Sequence, residues 1–464
     1  IFNKAHIQGL NTFRTATLRG NGWFYGENDF DDLTLRKART YYFEHAKQQT
    51  IYENLSLKGS CTGPIILQST ENTSRAEIRK VNGNVEGQYL SLRDMKATGN
   101  VPFTAQNSVD LGNNEGWEIT VTDPLELYWV NGQGSWSDSL HWAGMSGGEG
   151  GYCVPTPIDN VYFDENSFTN FRDTVFIDLT NATCHNMDWN GAMDSATLFG
   201  PDTNNLRLYG SLNLNAQMEN EFQGPWYFES TEPGNTIQTH GIPFKNSINF
   251  QGIGGAWMLM DDINYAPEIV MQRGTFDLNN HDIYCGSFNS AYTYPRTINM
   301  DNSKAILSLG NANAWHINNT NLDFSTKNSI IISNGVNGLV RTEGSGQTTY
   351  NNIIFKGTTS RIYNVNTQVR FNKIIFESSG EIHGNSTIDS VTFGGSGTIH
   401  NSDSIHYAHI YGLHGNLYGG RHVVDEIIFS QNATISGNNL IDSTYIGGAG
   451  TITGTNRINK PLII

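Results

Sequence analysis

From residue 350 onward, apolar side chains return in three columns at a long and nearly constant spacing. One column is Ile362, Ile382, Ile399, Leu417, Ile435 and Ile452, in steps of 20, 17, 18, 18 and 17. A second is Phe355, Phe376, Phe393, Ile410, Phe429 and Ile446, and a third is Val369, Ile388, Ile405, Val424, Ile441 and Ile458. An amphipathic helix repeats its apolar face about every 3.6 residues, and that period is missing here. A chain that winds over itself, turn upon turn, has a physical reason to keep the longer one. Within a turn, side chains alternate inward and outward. One turn cannot bury its apolar side alone, whereas stacked turns form a continuous core and pair their backbones. Three columns per turn predict an all-β, right-handed parallel β-solenoid (β-helix), with roughly triangular coils of about 17–21 residues. The hand follows the usual sense of parallel crossovers.

Three sixteen-residue windows align without a gap: TATLRGNGWFYGENDF at 15–30, SVTFGGSGTIHNSDSI at 390–405 and STYIGGAGTITGTNRI at 443–458. Each has Gly at its sixth and eighth positions and apolar residues at its tenth and sixteenth. Gly395, Gly397, Gly448 and Gly450 are expected at corners that need positive φ, where Asn can serve as well. The first and last windows lie 428 positions apart, which predicts slightly more than one large repeating unit. The chain begins at Ile1 with neither initiator Met nor signal peptide, and reads as a mature or excised piece of something longer. Residues 1–123 are expected to end one solenoid unit, 124–160 to form a Trp- and Gly-rich junction, and 161–464 to form the next unit.

Composition agrees with strands and tight turns. The chain has 49 Gly among 464 residues and only 16% charged residues, against about 25% in an ordinary globular domain. Aromatic and β-branched residues are too plentiful for disorder. A net charge of −16 argues against nucleic acid, whose phosphates need clustered Lys and Arg. No apolar run reaches eighteen residues, so no membrane insertion is expected.

Residues 134–142 (GSWSDSLHW), followed by SGG and by DNVYFDENSF at 159–168, resemble a motif of giant Bacteroidota surface proteins. TYYFEHAKQQTIYENLSLKGSCTGPIILQS at 40–69 and FTAQNSVDLGNNEGW at 103–117 are similar to the closing part of the same unit. The resemblance covers most of residues 30–190 and is to gliding-motility adhesins and related fibres exported by the type 9 secretion system. It implies an extracellular, cell-surface location and no catalytic residues. Its implied partners are surface polysaccharide or an abiotic surface, and adjacent units of the same long chain. It also implies O-glycans on Asp-Ser/Thr motifs, which fall here at Ser139, Thr174, Ser195, Ser390, Ser404 and Ser443.

Read residue by residue, the candidate sites are few. Of the four cysteines, Cys61, Cys153, Cys184 and Cys285, none forms a CxxC pair. Cys153–Cys184 is the favoured disulfide, with buried free thiols as the alternative. Trp129, Trp136 and Trp142, with Trp189 and Tyr25, could stack on sugar rings; the competing reading is a hydrophobic plug over an open solenoid end. His383, His400 and Tyr418 fall on successive turns and read as a ring ladder rather than a metal site. Acidic groups at 27–29, 31–32, 164–166 and 261–262 read as solvated loops rather than calcium sites. No HExxH, P-loop or dinucleotide fingerprint is present. The expectation is a non-enzymatic structural or adhesive module of a long surface fibre, providing reach, stiffness and display, with no cofactor, metal or catalytic residue. The alternatives are a β-helix carbohydrate-active enzyme, which would need paired carboxylates across a groove, and a lectin-like binding module.

Overall fold

The computed structural model describes residues 4–460 apart from 72, 194, 311–312, 366–368 and 402. The fold is a parallel β-solenoid of about 21 turns. It divides into two compact units, Ile1–Glu229 and Ser230–Ile464. The Trp- and Gly-rich stretch 124–160 thus lies inside the first unit.

Unit 1 holds two coil stacks. In the first, Lys4–Gln8, Asn21–Tyr25, Arg39–Phe43 and Ile65–Ser69 form one parallel face. Thr12–Leu18, Asn28–Leu35, Gln48–Leu57, Ala76–Lys80 and Met95–Gly99 form the other. The second stack opens with Glu126–Trp129, which pairs antiparallel with Trp142–Ala143 and parallel with Asn160–Tyr162. Its coils are three-stranded and long. Val161 pairs with Met187 and Val175 with Leu198, separations of 26 and 23 residues.

The antiparallel pair marks the open end of that second stack, and aromatic rings fill it. Trp142 meets Trp129 and Trp136 edge-on, at 5.1 and 4.8 Å between centroids. Phe163 stacks on Trp189 at 3.9 Å. Trp129, Trp136, Trp142 and Trp189 are all 0% exposed, so none can present a face to a sugar. The glycan-stacking expectation for these tryptophans is corrected: they plug a core end that would otherwise face water.

Unit 2 shows the columns directly. Ile362, Ile382, Ile399, Leu417, Ile435 and Ile452 are successive pairing neighbours. So are Phe355, Phe376, Phe393, Ile410, Phe429 and Ile446. The third column needs one correction, because Val369 pairs with Ser386 and it is Phe371 that neighbours Ile388. Val369 and Phe371 both point inward, and a slip of two residues preserves facing, so alternation alone cannot choose between them. Another inward column went unread: Ile353, Ile374, Val391, Ala408, Ile427 and Thr444. It exists because the long strands bend. In Ser386–Phe393, Ser386, Ile388, Val391 and Phe393 are buried while the adjacent Asp389 and Ser390 both face outward. That one-residue break in alternation is a corner, so two strands supply three sides.

The glycine expectation is also corrected. Gly395, Gly397, Gly448 and Gly450 do not adopt positive φ. That conformation belongs to Gly384, Asn401, Gly419, Gly437 and Gly454, one per turn. Gly397 is needed for space, since a Cβ there would lie 2.5 Å from the Phe393 ring. That ring is fixed in a stack with Phe376, 4.7 Å away and tilted by 2°. Gly397→Ala should therefore lower the stability of unit 2 by at least about 1 kcal/mol. A urea midpoint equal to the wild type's would show that the ring moves aside freely.

A second ladder runs through one corner, built from buried polar groups. Asp403 Oδ1 accepts from the Ser386 backbone N–H (2.8 Å), and His422 Nδ1 accepts from that of Asp403 (3.2 Å). Asn439 Oδ1 accepts from His422 N–H and Asn456 Oδ1 from Asn439 N–H, both at 3.2 Å. Each side chain thus satisfies a backbone donor one turn back, which a buried corner requires.

Candidate functional site

Two places gather chemistry that simple stacking does not require. The first is where the two stacks of unit 1 meet. Cys61, in the turn before Ile65–Ser69, is bonded to Cys153, in the loop after Trp142–Ala143. The expected Cys153–Cys184 pair is therefore wrong. Cys184 lies on Asn181–Cys184 with its thiol facing the coil interior, and both Cys184 and Cys285 are free and buried. Burial pushes both thiols well above the usual range. The informative signal was location: Cys61 and Cys153 sit among turn residues, whereas Cys184 and Cys285 sit at inward strand positions.

The same two stacks are also joined by a buried ionic cluster that the sequence does not announce. Glu229 is 1% exposed and lies between Arg207, which donates to Oε1, and Arg93, whose Nη1 is 3.6 Å from Oε2. The Tyr209 hydroxyl donates to Oε2 at 2.8 Å. Burial opposes ionisation of Glu229, but the guanidiniums of Arg207 and Arg93 outweigh it and hold the carboxyl below its ordinary range. Arg93 belongs to the first stack and is tied there to Gln68 Oε1 (3.0 Å). Arg207 belongs to the second, donates to Asn181 Oδ1 (2.9 Å) and lies over the Tyr227 ring. Asn181 in turn donates to Thr40 Oγ1 across the contact (2.6 Å). The charge set and the Asn181–Thr40 bond thus tie the first stack to the second through buried polar contacts.

The second place is an outer face of unit 2. Tyr363, His383, His400 and Tyr418 stand on successive turns, with ring centroids 5.9, 4.2 and 6.0 Å apart. The ring ladder expected at His383, His400 and Tyr418 is present and extends back to Tyr363. Glu381 joins it, with Oε2 at 3.0 Å from His383 Nε2. That hydrogen bond is the main cause that holds the Glu381 carboxyl low, while burial and then the neighbouring His383 depress His400.

Other expected positions are placed as follows. Ser139, Thr174, Ser195, Ser390, Ser404 and Ser443 are all half-buried. Of the acidic groups, Asp164 caps its own turn, with Oδ1 accepting from Asn166 N–H, whereas Asp261 Oδ1 accepts from Thr239 N–H and Asp32 Oδ1 from Asn54 Nδ2, each on a neighbouring coil.

The chain matches no family model, no curated protein and no solved structure.

Proposed function

We propose that the chain is a structural and adhesive module of a long extracellular surface fibre, whose work is reach, stiffness and display. The observation that carries this reading is the continuous register of apolar columns over the C-terminal turns of unit 2, from Ile353 to Ile446. Each turn is paired to the next by backbone hydrogen bonds and filled by the same side chains, an arrangement that extends by adding turns. The clamp in unit 1 favours the same reading, since it spends a disulfide and a buried ion cluster on holding one stack against another. Outward positions near the C-terminal turns carry hydroxyls, rings and amides suited to display, and three of the six Asp-Ser/Thr hydroxyls, those of Ser390, Ser404 and Ser443, are part of that proposed outer surface.

The test is retention under flow. Beads coated with the whole chain should be held on an immobilised bacterial polysaccharide film, with no new reducing ends or unsaturated sugars in the effluent. Release of such products would replace this reading with that of a β-helix carbohydrate-active enzyme. Free passage of the beads over both polysaccharide and bare glass would remove the adhesive role.

A further inference from the structure

We propose that Glu381, His383 and His400 form a binding site for one zinc ion that bridges two neighbouring coils of unit 2. One ligand atom from each residue lies within 4.8 Å of the other two. Glu381 and His383 are two positions apart on the strand Gly380–His383, so both project from the same outer face. His400 ends Gly397–His400 on the next turn, where the pairing of Ile382 with Ile399 sets one imidazole above the other. The two rings are tilted by only 11°.

The donor set favours a first-row transition ion such as zinc over calcium or magnesium. Two imidazoles and one carboxylate are ligands zinc accepts readily, and three protein ligands leave a fourth position for water. Calcium and magnesium prefer more oxygen donors than this face supplies. Zinc needs bonds of about 2.0–2.2 Å, so the imidazoles must splay from their stack until their lone pairs converge. Side-chain rotation suffices for that, because all three residues are half-buried rather than locked in the core. The backbone positions are already set by pairing. Arg361, with Nε 3.9 Å from Glu381 Oε2, is the cation that zinc displaces. The rival cluster on a neighbouring face is weaker: His406 lies 2.6 Å from Asp425 and 3.9 Å from Asp389, but it offers a single imidazole.

Zinc chloride titrated calorimetrically into the tag-free chain should show one tight equivalent, and zinc-edge X-ray absorption should show nitrogen and oxygen ligands with imidazole scattering. Even loss of an outer-shell partner weakens metal sites by about 10–100-fold, so His383→Ala or His400→Ala should each cost at least about tenfold in affinity. His406→Ala should bind as the wild type does. Melting curves without zinc establish that each variant keeps its fold. Equal affinity in the wild type and the His383→Ala/His400→Ala double variant, or no binding at all, would overturn the proposal.

Discussion

Glu229→Ala should destabilise unit 1 by about 3–5 kcal/mol, the usual consequence of removing one partner from a buried ionic set. The loss does not come mainly from two missing hydrogen bonds. It comes from leaving Arg93 and Arg207, both buried, without the negative charge that makes their burial tolerable. Replacing all three with apolar residues of similar volume should cost less than the single substitution, because no charge is then stranded. Hydrogen exchange read by mass spectrometry localises the effect. Peptides covering 39–93 and 181–229 should lose protection in Glu229→Ala, while peptides from the C-terminal turns of unit 2 keep theirs. Unchanged protection at both places would show that the cluster does not hold the stacks together.

The second large effect is a gain. Asp403→Asn should stabilise unit 2 by roughly 2–3 kcal/mol at neutral pH, the order of cost of an unsatisfied buried polar group. Asp403 occupies a ladder position that Asn439 and Asn456 fill on later turns. Those two donate through Nδ2 to the carbonyls of Ser436 and Thr453, each three residues back. A carboxylate has no such donor, and Asp403 Oδ2 is buried with no hydrogen-bond partner among the described residues, His422 Nδ1 lying 3.9 Å away. Burial drives its pKa well above the ordinary value of 3.8. Below the ordinary carboxylate range, folded and unfolded chains both hold the proton and Asp403 costs nothing by this route. As pH rises, the unfolded chain releases its proton first, and stability falls until the raised folded pKa has been passed. The advantage of the Asn variant should therefore be smallest near pH 3 and grow toward neutrality. His422 works in the opposite sense. Burial depresses its pKa below 6.5, so its contribution is complete above that value and is lost as pH falls through the folded one. Urea midpoints of wild type and Asp403→Asn between pH 3 and 8 provide the measurement, and a difference that does not vary with pH would sink the explanation.

The contrast between these groups shows what a sequence can reveal. Ile382, Ile399 and Leu417 were legible because turns of equal length keep equal residues in register, and burial then repeats at a fixed interval. Val369 was misplaced because parity is blind to a two-residue slip. The tryptophans at 129, 136 and 142 were visible as a cluster, but only packing separates a plug from a platform, since both use the same rings. Glu229 carried no local signal at all. Its partners lie 22 and 136 positions earlier, at Arg207 and Arg93, and nothing in the spacing of those residues announces that two stacks meet there. Glu381 carries no ladder signal for a related reason: the rings share one column, while the carboxylate enters from the column beside it, whose next members are Thr398 and Asn416.

The bridge between Cys61 and Cys153 has a consequence for how unit 1 would respond to being pulled from its ends. The two sulfurs are 92 positions apart in the chain. Tension arriving at residue 61 crosses to residue 153 through the sulfur–sulfur bond and bypasses everything between. At about 3.4 Å per extended residue, some 300 Å of slack is withheld from the pulling direction. Those turns can fray under heat or denaturant, yet a load cannot pay them out until something reduces the bond.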